Sequence, residues 1–280
     1  MNKPEFFTDM SERDYRAADA MSKSDLSAVN DDIADWLWSK SAPVDEGKVK
    51  TLDIGKAAHC KALEPELFNK EFVVGLDIDR RSKANKEAWS EFESEHKDKT
   101  IITADDNRRI DIMVDSIMAH PRARMWLEME GYSESSIFWT DEETGIRCKC
   151  RPDRMAKNEP LIFDLKTADD IGRFIKYGIH DFQYFMQDAH YSDGHQKLTG
   201  DTPLFGFIVV SKSANCGRYP VKTVVLSEAD NIQGMQLRNS ALKKYKQYLE
   251  SGDIGDAPVV SRSDYQFSQT ERLIMENNNG

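Results

Sequence analysis

Apolar residues fall at Leu26, Val29, Ile33 and Leu37, a three-to-four spacing that predicts a helix with Ser24 placed to cap it. Similar spacing predicts a helix over 55–63, stopped by Pro65. Another runs over 107–119 through Ile110, Met113, Val114 and Ile117, is interrupted by Pro121 and resumes over 125–129. Near residue 135 the period changes. Segments 136–140, 146–151, 161–167, 204–211 and 221–226 are short and rich in β-branched and aromatic residues, and read as strands. A helix over about 171–191 separates the third strand from the fourth, and one over 228–250 follows the fifth. Helices, a hairpin, a crossover helix and further strands predict an α/β fold with a mixed central β-sheet flanked by helices.

No stretch of this 280-residue chain predicts a transmembrane or secretory segment, and mean hydropathy is -0.64, so a cytoplasmic protein is expected. Residues 1–20 read as a flexible N-terminal segment, 21–257 as a single domain and 258–280 as a polar C-terminal tail. Cys60, Cys148, Cys150 and Cys216 have no zinc-ligand spacing; Cys148 and Cys150 alternate onto one face as small buried hydrophobes. The net charge of -11 does not exclude a nucleic-acid partner, which needs only local positive potential. Positive charge is clustered at Arg80–Lys86, at Arg147, Lys149, Arg151 and Arg154, and at Lys243–Lys246, and the second cluster adjoins an acidic constellation.

That constellation lies in RCKCRPDRMAKNEPLIFDLKT, residues 147–167. If the turn centres between Asn158 and Glu159, the flanking strands form an antiparallel hairpin that sets Asp153 opposite Asp164, where Cβ atoms stand about 4.5–5.5 Å apart. Asp164 and Lys166 share one face, and Leu161, Phe163 and Leu165 anchor the other in the core. Two apposed carboxylates repel unless a cation neutralises them, and oxygen ligands suit Mg²⁺, with Mn²⁺ able to substitute. A lysine beside them can orient or deprotonate a water and offset charge on a phosphorane. The plain alternative is a buried salt bridge, Asp164–Lys166 or Asp153–Arg151, with no chemistry.

Pro152-Asp153 followed by Asp164-Leu165-Lys166 resembles the PD-(D/E)XK nuclease signature, with its restriction-endonuclease-like core. GKAAHCKALEPELF (55–68), SESSIFWTDEETGIRCKCRPD (133–153) and DFQYFMQDAHYSDG (181–194) resemble RecE-type (exonuclease VIII) nuclease domains, over about residues 21–226. The resemblance implies a Mg²⁺-dependent 5′→3′ exonuclease acting on double-stranded DNA ends to leave single-stranded 3′ tails for recombination. It also implies a homotetrameric ring and a RecT-like single-strand annealing partner. His59 matches the family's helical metal-ligating histidine, although a lone helical histidine is otherwise a core residue. Asp153 and Asp164 match the metal-binding acids, the Leu165 carbonyl completes the shell, and Lys166 matches the catalytic lysine. Tyr184 and Gln187 match a pair that holds the lysine and DNA, with Tyr191 either continuing that stripe or packing on the sheet. Glu134 matches an acid behind the metal ligands.

Arg147, Lys149 and Arg151 are expected to steer the DNA backbone. Ser22 and Ser24, at a helix N-terminus, are expected to cap it or to meet a 5′ phosphate. His180, His190 and His195 fit no ligand spacing and are assigned to the surface. Competing readings are an endonuclease or single-strand nuclease of the same fold, a catalytically silent DNA-binding or partner-recruiting module, and a structural metal protein.

Overall fold

A computed structural model describes residues 3–42, 54–255, 265 and 268–272. Most of the expected tail lies outside them. The chain divides into two units, 1–246 and 247–280; the second comprises the end of the last long helix and a short helical segment at 268–272. In chain order the elements are β1 Glu5–Phe7, α1 Glu12–Ala17, α2 Lys23–Asp31, α3 Ile33–Ser41, α4 Ile54–Leu63, α5 Pro65–Glu71, β2 Phe72–Val74, α6 Lys83–Glu95, β3 Thr100–Ile102, α7 Ala104–Ala119 and α8 Pro121–Glu128. There follow β4 Gly131–Ser133, β5 Ser136–Thr140, β6 Arg147–Cys150, β7 Arg154–Ala156, β8 Leu161–Ala168, α9 Ile171–Arg173, a π turn Phe174–Gly178, α10 Ile179–Asp181, α11 Tyr184–Thr199, β9 Leu204–Ser211, β10 Val221–Val225 and α12 Glu228–Ser251. Among the described residues no helix is long and apolar enough to cross a membrane.

The central sheet has the order β10-β9-β8-β7-β4, and only β8 and β9 run parallel, so it is mixed as expected. The crossover that parallel neighbours require is supplied by α9 to α11. Leu161, Phe163 and Leu165 alternate onto one face of β8 and join Ala57 and Ala58 of α4, Ile110, Met113 and Ile117 of α7 and Trp126 of α8 in the core. On the other side α11 packs against β5, β6 and β9, and it is buried over so much of its circumference that it shows little amphipathic pattern.

Beside β8 lies one long two-stranded ribbon, each strand of which is interrupted once. β4 and β5 stop and restart at Glu134-Ser135, and β6 and β7 at Arg151-Pro152-Asp153, so the ribbon passes from a separate sheet, β1-β5-β6, into the central one. Ile137 faces Cys150 before the break and Ser133 faces Arg154 after it, which is one unchanged register with no residue inserted. Pro152 supplies no N–H to a ladder at this point, and Glu134 takes a left-handed φ of 49°.

Several expectations need revision. The segment expected to be flexible contains β1, paired with β5, and α1, whose Tyr15 packs edge-on against Phe138. The cap of α2 is Ser22, in a reciprocal box with Asp25, and not Ser24; Asp32 then ends α2 and caps α3. The helix expected over 171–191 is broken, because Gln183 has φ 51° and ψ 43°. His190 and His195 are buried: His190 Nε2 lies 3.0 Å from the Lys149 carbonyl, and His195 Nδ1 lies 3.0 Å from that of Asp201.

Candidate active site

Arg154 opposes Phe163 and Met155 opposes Ile162, the hairpin register read from the sequence. Continued one position, it sets Asp153 against Asp164. The ribbon register sets Glu134 against Asp153, and the Glu134 N–H donates to the Asp153 carbonyl at 3.1 Å. Three acids therefore stand in a row across three adjacent strands at the level of the kink, with Lys166 two residues along β8.

His59 reaches this row from α4, where Gly55, Ala57 and Ala58 bury the helix against the core. Its Nε2 lies 2.7 Å from Asp153 Oδ2 and its Nδ1 3.7 Å from Glu134 Oε1. Asp153 Oδ2 also accepts the Leu165 N–H at 2.5 Å. Lys166 Nζ pairs with Asp164 Oδ2 and lies 4.9 Å from the centre of the Tyr184 ring. Arg151 Nε donates to Glu134 Oε2 at 2.9 Å.

The titrations follow from this crowding. Burial and the Asp153 charge push Glu134 up to about 7. Burial and the same charge push Asp164 up to about 6, against the pull of Lys166. Burial would lower His59, but Asp153, with Glu134 and Asp164 behind it, raises it to about 9. Burial would raise Asp153, but His59, Lys166 and the Leu165 N–H hold it below the usual range. Asp164 and Asp153 outweigh burial at Lys166 and keep it an ammonium.

One imidazole nitrogen and two carboxylate oxygens, from His59, Glu134 and Asp153, converge within 4.8 Å of one another. An oxygen-rich set with one imidazole fits a divalent cation such as Mg²⁺ or Mn²⁺. Glu134, expected behind the ligands, lies in the same candidate cluster as His59 and Asp153; the register set by the turn at Asp141–Gly145 is a signal that could have placed it opposite Asp153.

The other expected residues divide. Tyr184 stands beside Lys166, and Gln187 is buried one turn on, with no side-chain hydrogen bond among the described residues. Tyr191 packs edge-on against Phe205. Lys149, expected to steer DNA, is buried, and its ammonium donates to the carbonyls of Tyr15 and Ala18 at 2.9 and 2.7 Å. Arg151 is likewise committed to Glu134, the Met10 carbonyl and the Ser136 hydroxyl, so both cations hold the N-terminal segment on the ribbon. Arg147 is half exposed and pairs with Glu5 at 2.8 Å. Ser24 Oγ lies 3.1 Å from Ser22 Oγ.

Lys23, between those serines, was missed. Its Nζ donates to the Phe182 carbonyl at 2.5 Å and lies 5.8 Å from the Tyr184 ring. Burial and the neighbouring Lys166 charge lower it to about 8. Only the packing of α2 against the crossover reveals this position.

A family model described as a PDDEXK-like domain of unknown function (DUF3799) matches residues 23–252. No curated protein matches. Among solved structures, a protein described as a candidate exonuclease from Eubacterium rectale aligns over 91% of this chain and 96% of its own, with TM-score 0.57 and 12% identity. An alkaline exonuclease from Laribacter hongkongensis aligns over 74% and 94% with TM-score 0.29 and 12% identity.

Proposed function

Because the chain belongs to the PDDEXK-like DUF3799 family, we propose that it is a metal-dependent nuclease hydrolysing DNA phosphodiesters at the acid row. The observation that carries this reading is the alignment of Glu134, Asp153 and Asp164 across three strands, with Lys166 beside them and His59 facing them. A divalent cation, Mg²⁺ in this proposal, would be held by His59, Asp153, Asp164 and the Leu165 carbonyl, with Glu134 an additional oxygen donor. When bound, it supplies Lewis acidity and a water of lowered pKa.

The chain's own residues do the rest. Lys166, paired with Asp164, orients the attacking water and offsets charge gathering on the phosphorane. Tyr184 limits where the ammonium can move. Leu165, buried in the core, fixes the strand that presents both Asp164 and Lys166. The finer parts of the proposal rest on the sequence resemblance: 5′→3′ digestion of double-stranded ends in the cytoplasm, a homotetrameric ring, and a RecT-like annealing partner. Arg147 and Ser24 remain candidates for DNA contact.

The test is digestion of linear 5′-phosphorylated duplex with Mg²⁺ or EDTA, by wild type and Lys166→Ala. Mg²⁺-dependent loss from 5′ ends, absent in the variant and on closed circles, supports the exonuclease. Cutting of circles would replace it with an endonuclease, and no cleavage with any metal would leave a silent binding module.

A further inference from the structure

The crossover from β8 to α11 carries an exposed aromatic beside the acid row. A continuous helix here would carry Phe182 on without a turn. Instead α9, the π turn and α10 end at Gln183, whose left-handed backbone starts α11 afresh. Such a conformation is costly for a residue other than glycine, and π turns are frequent at functional sites. The result is that Phe182 stands 59% exposed.

Single exposed hydrophobics are ordinary, so exposure alone decides nothing. Position does. The Phe182 ring centre is 5.6 Å from that of Tyr184, and Tyr184 in turn lies 4.9 Å from Lys166 Nζ. Tyr184 is also packed by Phe174 at 5.5 Å and Phe207 at 5.4 Å, so it is fixed, and Phe182 leans on a rigid support. The Phe182 backbone is held as well, by the ammonium of Lys23 on its carbonyl. An aromatic surface thus begins two contacts from the catalytic lysine and ends in solvent, next to a cation suited to a phosphate chain. A nucleobase stands one sugar away from its phosphate, and between this surface and the Lys166 ammonium stands one side chain, Tyr184.

We propose that Phe182 is a stacking platform for the base of the nucleotide at the scissile phosphate, serving an unpaired or frayed DNA end. The proposal rests on the nuclease reading. Stacking of this kind has no hydrogen-bond readout and is tolerant of sequence. The platform therefore favours ends whose terminal base has left the duplex, without selecting which base.

The experiment measures binding and hydrolysis separately. Binding of a 5′-phosphorylated, fluorescein-labelled duplex with a two-nucleotide mismatched end is followed by anisotropy in Ca²⁺, with the terminal nucleotides intact or abasic. Wild type, Phe182→Ala, Phe182→Leu and Phe182→Trp are compared, with matched melting temperatures as the folding control. The abasic end is expected to bind wild type about tenfold more weakly. Phe182→Ala and Phe182→Leu should lose the same factor on the intact end and nothing further on the abasic one, and Phe182→Trp should restore both. An abasic penalty that persists in Phe182→Ala, or Phe182→Leu binding like wild type, overturns the platform. So does a lack of DNA binding by wild type, or sedimentation showing that Phe182→Ala dissolves an assembly of this chain. Hydrolysis of the same duplexes in Mg²⁺ tests the other reading. Base-dependent binding without any hydrolysis would sink the nuclease and keep the platform, and hydrolysis without base-dependent binding would do the reverse.

Discussion

Arg238 is a buried cation and Lys166 a half-buried one, each set beside carboxylates, and their surroundings differ. Arg238 donates to Asp141 at 3.2 Å, to Asp193 at 2.7 Å and to His190 Nδ1 at 3.2 Å. Those acids also have neutral donors: Asp141 accepts the Thr144 hydroxyl and N–H at 2.6 and 2.9 Å, and Asp193 the Trp139 indole at 2.8 Å. Burial would raise Asp141, but these partners hold it below the usual range. Around Lys166 three carboxylates crowd together, and two of them, Glu134 and Asp164, are pushed up to about 7 and about 6. The first network is complete and ties α12 to α11 and the β5–β6 ribbon. The second reduces its own charge by taking up protons, as expected of a site that exchanges protons for a metal ion.

Breaking each network separately tests that contrast. Arg238→Ala leaves Asp141 and Asp193 buried without their cation and should cost about 3–5 kcal/mol of stability, read as a large fall in melting temperature. The fraction that remains folded should hydrolyse DNA at the wild-type rate. Lys166→Ala should do the opposite: hydrolysis falls about 10²–10³-fold, while the melting temperature changes little because the remaining acids can protonate. If both variants lost stability equally, the acid row would be a structural salt bridge after all. A third measurement sharpens the point. Mg²⁺ at a hundred times its Kd should stabilise the wild type by about 2.7 kcal/mol. That gain should vanish in Asp153→Asn and persist in Asp193→Asn.

The same contrast explains what could be read from the sequence. The acid row was legible because strand periodicity is short-ranged: turn position fixes register, and register set Asp153 against Asp164 without knowledge of the rest of the molecule. The long ribbon beside β8 carried the equivalent information for Glu134, through the turn at Asp141–Gly145. Arg238, His190 and Lys149 were illegible, since each is buried by partners from distant elements: Arg238 from the turn after β5, from β6 and from α11, and Lys149 from the segment before α2. A cationic cluster on a strand reads as a surface unless the carbonyls that cover it are known. The break at Gln183 was hidden for a related reason. Helix-compatible residues run through it, and only the packing of Tyr184 against Phe207 shows where the chain restarts.

A smaller perturbation probes the closed network through its packing. A Cβ at Gly194 would stand 2.8 Å from the Trp139 ring and 3.0 Å from Cys150 Sγ, inside ordinary contact. Gly194→Ala must displace the indole that donates to Asp193, and should cost about 1–3 kcal/mol. Activity per folded molecule should be kept, because Trp139 bonds to Asp193 and packs on His190, both outside the acid row. A loss of activity larger than the loss of folded protein, measured by hydrolysis against circular dichroism, would mean that the two networks communicate through β6.

Protons separate the two regions with the smallest energies and with opposite signs. Burial first, then the Arg238 charge, lowers His190 to about 3. The unfolded chain therefore binds more protons below about 6.5, and this contribution to stability is lost as pH falls through that range. At the acid row the folded values of Glu134, Asp164 and His59 lie above the unfolded ones, while that of Asp153 lies below. The contribution of Glu134 is present below 4.5 and is lost as pH rises through about 7. That of His59 is present below 6.5 and is lost as pH rises through about 9. In EDTA, stability should decline between pH 6.5 and 9, by no more than about 1.4 kcal/mol per pH unit for each proton involved. Divalent metal should flatten this decline, because it replaces the protons that the rising pH removes. Chemical denaturation at a series of pH values, with and without Mg²⁺, tests this, with His59→Gln as the control that should lack the upper part of the slope. An identical slope in that variant would place the titrating group outside the acid row and remove the electrostatic argument for a metal there.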